Sequence, residues 1–136
     1  MLDIKRYNYA EWTQGRFSEA VTVTGPGKTI YLAGIGAEHE VHGAIQHPDD
    51  FAAQCRYAYA KLKAVLERNG ASMADVVKQT TYVTDVRFQP TAGKCRSEAY
   101  EGLQLPAHTF LTVSQLAWPH MLVEFDIIAV APLPDA

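Results

Sequence analysis

The sequence predicts an α+β sandwich: a mixed β-sheet with two helices laid over one of its faces. Three observations carry this. β-branched runs recur between clear turn signals, two segments carry helical spacing, and the two kinds follow the order ββ-α-β-α-ββ. The chain has 136 residues, which fits one domain, 1–136, large enough to bury a core without staples.

Each element has a local cause. Residues 19–24, Glu-Ala-Val-Thr-Val-Thr, read as a strand, Gly25-Pro26-Gly27-Lys28 as a turn and residues 29–33 as a second strand, so 19–33 is expected to be a hairpin. A short strand is expected near residues 4–8. Gly34-Ile35-Gly36 closes the second strand, and residues 37–47 are polar and loop-like. Pro48-Asp49-Asp50 starts the first helix, since proline and carboxylates suit a first turn. Phe51, Cys55, Ala58, Leu62 and Val65/Leu66 form one apolar stripe, and Asn69-Gly70 stops it. Residues 76–84 are β-branched and read as a third strand. Pro90 opens a second helix over roughly 90–101, with Ala92, Cys95 and Ala99 inward, until Leu105-Pro106 breaks it. Residues 108–114 and 121–131 are the last two strands. With helices on one face only, the other face must be covered by something else. Val21, Val23, Tyr82, Val113 and Phe125 are the residues expected there, and closed packing against further copies is the common solution.

Composition excludes several classes. Twelve basic and 15 acidic residues leave a net charge of −3, and Lys61, Lys63 and Arg68 are dispersed among acids, so no nucleic-acid partner is expected. No run approaches the length of a membrane span, and the start lacks a signal-peptide pattern. Two cysteines, Cys55 and Cys95, do not make a disulfide framework, so a cytoplasmic protein with reduced thiols is expected. Cys55 reads as core; Cys95 lies between Lys94 and Arg96, which favour a thiolate, but also on the inward face of its helix. Glu38-His39-Glu40-Val41-His42, with His47 nearby, has metal-binding residue types without zincin spacing, and no metal is expected. Gly34-Ile35-Gly36 lacks the rest of a phosphate-binding loop.

The C-terminal third carries the most specific signal. It reads Pro106-Ala107-His108-Thr109-Phe110-Leu111-Thr112-Val113, then Leu116, then Leu122-Val123-Glu124-Phe125-Asp126-Ile127-Ile128-Ala129. Upstream stand Phe17-Ser18-Glu19-Ala20-Val21, Leu32-Ala33-Gly34, Ala52-Ala53-Gln54, Lys63-Ala64-Val65-Leu66 and Asp75-Val76-Val77-Lys78-Gln79-Thr80-Thr81-Tyr82-Val83. In this order the segments resemble the Rid family, also called YjgF/UK114, over about residues 17–131. The resemblance implies a Rid/chorismate-mutase-like sandwich whose sheet faces pack together in a homotrimeric barrel, with clefts between subunits. It also implies hydrolysis of an imine or enamine, such as 2-aminoacrylate, to a carbonyl product and ammonia. No cofactor is implied, because the substrate's C=N bond is itself the electrophile.

The resemblance also assigns roles. Family deaminases clamp the substrate carboxylate with an arginine at the position of His108, where an imidazole offers one donor and partial charge. Arg96 and Arg87 are the candidate replacement charges. Glu124 matches the glutamate that orients water and moves protons, and its apolar strand raises its pKa. Phe17, Ala33 and Phe110 stand where the family carries a tyrosine, a serine and a small residue, and each change makes the cleft less polar. Gly34, Ala107 and Thr109 complete the expected substrate-binding set. Gln115-Leu116-Ala117-Trp118-Pro119-His120 resembles the loop of the aminomuconate-deaminase branch, which adds Trp118 and His120 as rim residues. The leading expectation is a divergent imine/enamine deaminase. A non-catalytic trimer that binds a small metabolite and regulates a pathway is the alternative, and the acidic balance argues against a ribonuclease.

Overall fold

A computed structural model describes residues 1–134. The elements in order are β1 (Asp3–Tyr7), β2 (Ala20–Thr24), β3 (Lys28–Tyr31), α1 (Phe51–Arg68), β4 (Val76–Val83), α2 (Gln89–Ala99), β5 (Ala107–Thr112) and β6 (Val123–Ala131). Asp50 caps α1 by accepting from the Ala53 amide at 3.1 Å. Pro48 and Asp49 lie outside the helix, and Asp49 has a φ of 62°. Pro90 falls in the first turn of α2, where its missing N–H costs nothing.

The main sheet has the order β3-β6-β4-β5. β4 and β5 are parallel and joined by the α2 crossover, whereas β6 runs antiparallel to both β3 and β4. Both helices cover one face of this sheet, so the predicted α+β class holds. The predicted 19–33 hairpin does not form. β2 gives its ladder to β1, from Asp3 opposite Thr24 to Tyr7 opposite Ala20, and β3 pairs with β6. Gly25 takes a φ of 91°, open to glycine, and the turn hands the chain from one sheet to the other. The short N-terminal strand is the competitor that wins β2. This ribbon is anchored to the start of β5. Ser18 donates from its amide to the Pro106 carbonyl at 3.0 Å and from its hydroxyl to the Leu105 carbonyl at 2.8 Å. Arg6 Nε donates to the same Leu105 carbonyl at 3.0 Å.

Strand periodicity decides what each face carries. Val123, Phe125, Ile127 and Ala129 of β6 are fully buried with Leu62 and Leu66 of α1. Burying such an aliphatic or aromatic side chain stabilises by about 1.5–3 kcal/mol. Phe125 therefore lies beneath the helices, 4.3 Å from the Tyr59 ring, and not on the open face as expected. Its period of two puts it in phase with Val123 and Ile127. Glu124, Asp126 and Ile128 point the other way, beside Lys78, Thr80 and Tyr82 of β4.

Candidate active site

The same periodicity sorts the expected site residues into two groups. His108 and Phe110 of β5 lie opposite Gln79 and Thr81 of β4, on the helix-covered side. Glu124 lies opposite Tyr82 on the other side of the sheet. The two positions are separated by two strand spacings and three residues of strand length, roughly 14 Å in the plane of the sheet. Within one chain they do not face each other.

The His108 group is a chain of hydrogen bonds running outward from the core. Tyr100 Oη donates to Gln79 Oε1 at 2.6 Å. Gln79 Nε2 donates to Tyr59 Oη and to Thr81 Oγ1, both at 3.0 Å. Thr81 Oγ1 stands 2.9 Å from His108 Nε2, and Arg96 Nη1 stands 2.9 Å from His108 Nδ1. Arginine can only donate, so Nδ1 accepts and the ring proton sits on Nε2, directed at Thr81. Burial first, then the positive charges of Arg96 and Lys78, lower the His108 pKa to about 3. The imidazole is therefore neutral at physiological pH, with both nitrogens engaged. Phe17 packs beside it, ring centres 6.5 Å apart, and Trp12 meets Phe17 edge-on at 5.7 Å.

The two candidate arginines separate cleanly. Arg87 is committed to Asp85, Nη2 to Oδ2 at 2.6 Å, and that contact holds the Asp85 carboxyl at about 2. Arg96 reaches into the site from α2, where its partners are His108 and, at 3.4 Å, the Arg16 carbonyl. Burial lowers its pKa.

The Glu124 group is built on close approach. A Cβ placed on Gly34 would lie 2.6 Å from the Glu124 carboxyl carbon and 2.8 Å from Oε2, so only glycine leaves the carboxylate this position. Ala33 adjoins it. The Glu124 side chain makes no hydrogen bond among the described residues. Its pKa is raised, by burial first and then by the negative charges of Glu38 and Asp126. Such a carboxyl is a better proton carrier than an exposed one. Thr109 shares this side of the sheet and accepts from Lys78 Nζ at 2.8 Å. Ala107 bridges to Ser18 at the head of β5.

Trp118 and His120 belong to neither group. They line a surface groove with His42, Ile45 and Pro48. His120 Nδ1 lies 3.2 Å from Asp49. Gln54 fixes this region from inside α1: its Nε2 donates to the carbonyls of His47 (3.1 Å) and His120 (2.7 Å), and its Oε1 accepts from the Leu122 amide at 2.9 Å. His39 and His42 stack on each other at 4.0 Å, and each ring accepts a backbone amide of its own loop. Cys55 and Cys95 are both buried between α1 and α2. Contact with the Cys95 sulfur, and then burial, push the Cys55 thiol up, whereas contact with Cys55 lowers Cys95. No described helix is long and apolar enough to cross a membrane.

Sequence reasoning missed Gln79, Thr81, Tyr59 and Tyr100, the support of His108. Gln79 and Thr81 are polar yet in phase with the buried Val83, which is the signature of a polar network inside a core.

Helices over one face of a mixed sheet, a histidine at the head of β5 and a glutamate on β6 packed against a glycine define a Rid-type domain. Residues 10–131 match the family model described as endoribonuclease L-PSP. The chain belongs to this family, which includes the Rid or YjgF/YER057c/UK114 proteins. A conserved Rid-family protein of Yersinia pestis, YyfB, superposes with a TM-score of 0.79 at 33% identity, over 93% of this chain and 97% of that one. A RutC family protein from Pyrococcus abyssi is 34% identical over 85% of this chain and 86% of its own length. The 2-iminobutanoate/2-iminopropanoate deaminase of Dermatophagoides farinae is 32% identical over the same shares.

Proposed function

We propose that this protein hydrolyses an imine or enamine to a carbonyl compound and ammonia. The observation that carries the reading is Glu124. It is a carboxyl with a raised pKa and no hydrogen-bond partner among the described residues, held against the bare backbone of Gly34 on the last strand. The similarity to a named iminobutanoate/iminopropanoate deaminase supports it.

The chemistry balances on water alone. An enamine first takes a proton on carbon and releases one from nitrogen, which makes it the imine. Water then bonds to the imine carbon as Glu124 accepts its proton, and the C=N bond becomes a single bond. Glu124 returns the proton to nitrogen and then relays the hydroxyl proton of the adduct to nitrogen as well, the C–N bond breaks, and ammonia leaves as the C=O bond forms. This chain's residues supply position and proton transfer, and the electrophile comes with the substrate.

Glu124 and the Arg96–His108 pair occupy opposite sides of one sheet. In this reading the site therefore takes Glu124 and Gly34 from one subunit and His108, Arg96 and Phe17 from the next, in a closed homotrimer. A second reading, a metabolite-binding regulator without turnover, is favoured by one observation. Both ring nitrogens of His108 are already satisfied within the chain, so it offers a substrate no free donor.

The test is ammonia release from 2-aminoacrylate generated in situ. Wild type is expected to be active and Glu124→Ala to lose roughly a hundredfold or more in rate. Activity that survives Glu124→Ala removes the mechanism. A silent wild type that shows ligand-induced rises in melting temperature replaces the deaminase with the regulator.

A further inference from the structure

The two cysteines of the chain are held against each other. Cys55 projects from α1 and Cys95 from α2, and both are buried where the two helices pack. One turn away on each helix the buried position is an alanine, Ala58 and Ala92, and small side chains let helices approach closely. Arg56 and Glu98 fix the register beside the pair, with Nε 3.8 Å from Oε2 across the two helices. The contact between the sulfurs treats them unequally. Cys55 keeps its proton and donates it toward Cys95, so the Cys95 thiol is lowered and the Cys55 thiol is raised. Burial opposes the lowering of Cys95, the Arg56 charge assists it, and Glu98 acts against it.

The two sulfurs also differ in access. A cleft of about 260 Å³ opens between the helices, and its wall includes Cys95 together with Arg56, Tyr59, Lys63 and Glu98. Cys55 is not part of that wall and is 1% exposed. A small oxidant entering the cleft therefore meets Cys95 first, beside two cations, with a second thiol directly behind it. Two cysteines that merely filled the core would need neither the opening nor the cations. A thiol of lowered pKa that is open to solvent and backed by another thiol is the arrangement that oxidises reversibly.

We infer that Cys95 is an oxidation site for hydrogen peroxide and that Cys55 resolves it, closing a disulfide between α1 and α2. In the first step the Cys95 thiolate bonds to one peroxide oxygen and the O–O bond breaks. The other oxygen leaves as hydroxide and takes a proton to become water, and Cys95 becomes a sulfenic acid. In the second step the Cys55 sulfur bonds to the Cys95 sulfur and the S–O bond breaks. The departing hydroxyl takes the Cys55 proton and leaves as a second water. The two sulfurs together give up two electrons, and the peroxide that receives them ends as two waters. No group of the proposed deaminase site takes part, so this inference stands apart from that reading.

The test exposes the full native chain to hydrogen peroxide, then counts thiols by alkylation in denaturant and maps peptides by mass spectrometry. Wild type is expected to lose both thiols together and to yield one peptide pair joined through Cys55 and Cys95 within a single chain. Dithiothreitol is expected to restore both. Cys55→Ser is expected to stop at the Cys95 sulfenic acid, trapped as its dimedone adduct. Cys95→Ser is expected to leave Cys55 reduced under the same exposure. The wild-type cross-link is read without any substitution, so a variant that folds poorly does not remove the test. Wild-type thiols that survive an excess of peroxide sufficient to oxidise free glutathione overturn the inference. A disulfide that joins two chains does the same. A dimedone adduct at Cys55 in Cys95→Ser, formed as readily as the one at Cys95 in Cys55→Ser, also overturns it.

Discussion

Glu124 is held where it is by something its neighbour lacks. The carboxyl lies over Gly34, in space that any Cβ would fill. A methyl there meets the far end of a flexible side chain, so the fold can yield by moving the carboxyl alone. Under the proposed deaminase reading, Gly34→Ala is expected to lower kcat by roughly ten- to a hundredfold, the scale of a misplaced catalytic group. Its melting temperature should stay near that of wild type. A full-rate Gly34→Ala enzyme would show that the carboxyl works from more than one position. The place of Glu124 on the last strand was legible from its motif, and its raised pKa follows from the apolar strand on which it sits. Arg96 was less legible, because a residue on a helix carries no mark of which strand residue it will meet. Only the crossover geometry of β4, α2 and β5 brings it to His108.

At the scale of elements, the polar ladder ties α1, β4, α2 and β5 into one unit. It also makes their packing sensitive to acid. His108 has an ordinary imidazole pKa near 6.5 when unfolded and one of about 3 in the fold. Between those values the unfolded chain binds a proton that the folded chain refuses. Stability is thus fully present above the unfolded value and declines as pH falls toward the folded one. Urea unfolding at fixed protein concentration, from about pH 7 down to about pH 4, should show a shallower decline for His108→Gln than for wild type. Identical slopes would assign the decline to carboxylates elsewhere. The strands and helices themselves were readable, with bounds shifted by one to three residues, because β-branched runs and the α1 stripe are local signals. Pairing was not. The segments flanking Gly25-Pro26-Gly27 satisfy every local rule for a hairpin, yet β2 takes β1 and β3 takes β6. A ladder is a competition between partners, and the turn sequence describes only one contestant.

For the whole molecule, the opposed faces of one sheet set the stoichiometry of the proposed site. A subunit carrying Arg96→Met still offers a sound Glu124, and one carrying Glu124→Ala still offers a sound Arg96. Refolding the two inactive variants together in equal amounts gives each interface a one-half chance of each sound partner. The expected recovery is about a quarter of wild-type activity in a closed ring of like interfaces. No recovery would mean that both residues act within one chain.

The anchoring of the ribbon has a further consequence for the order in which the protein can assemble during synthesis. Arg6 reaches a carbonyl 99 residues downstream, and Ser18 one 87 residues downstream. Lys28 of β3 pairs with Ala131 of β6. While the ribosome is at work, β1 and β2 have only each other, and β3 has no partner at all. Vectorial growth therefore leaves the amino-terminal quarter waiting on the carboxyl-terminal one. The domain closes only once its last strand has emerged.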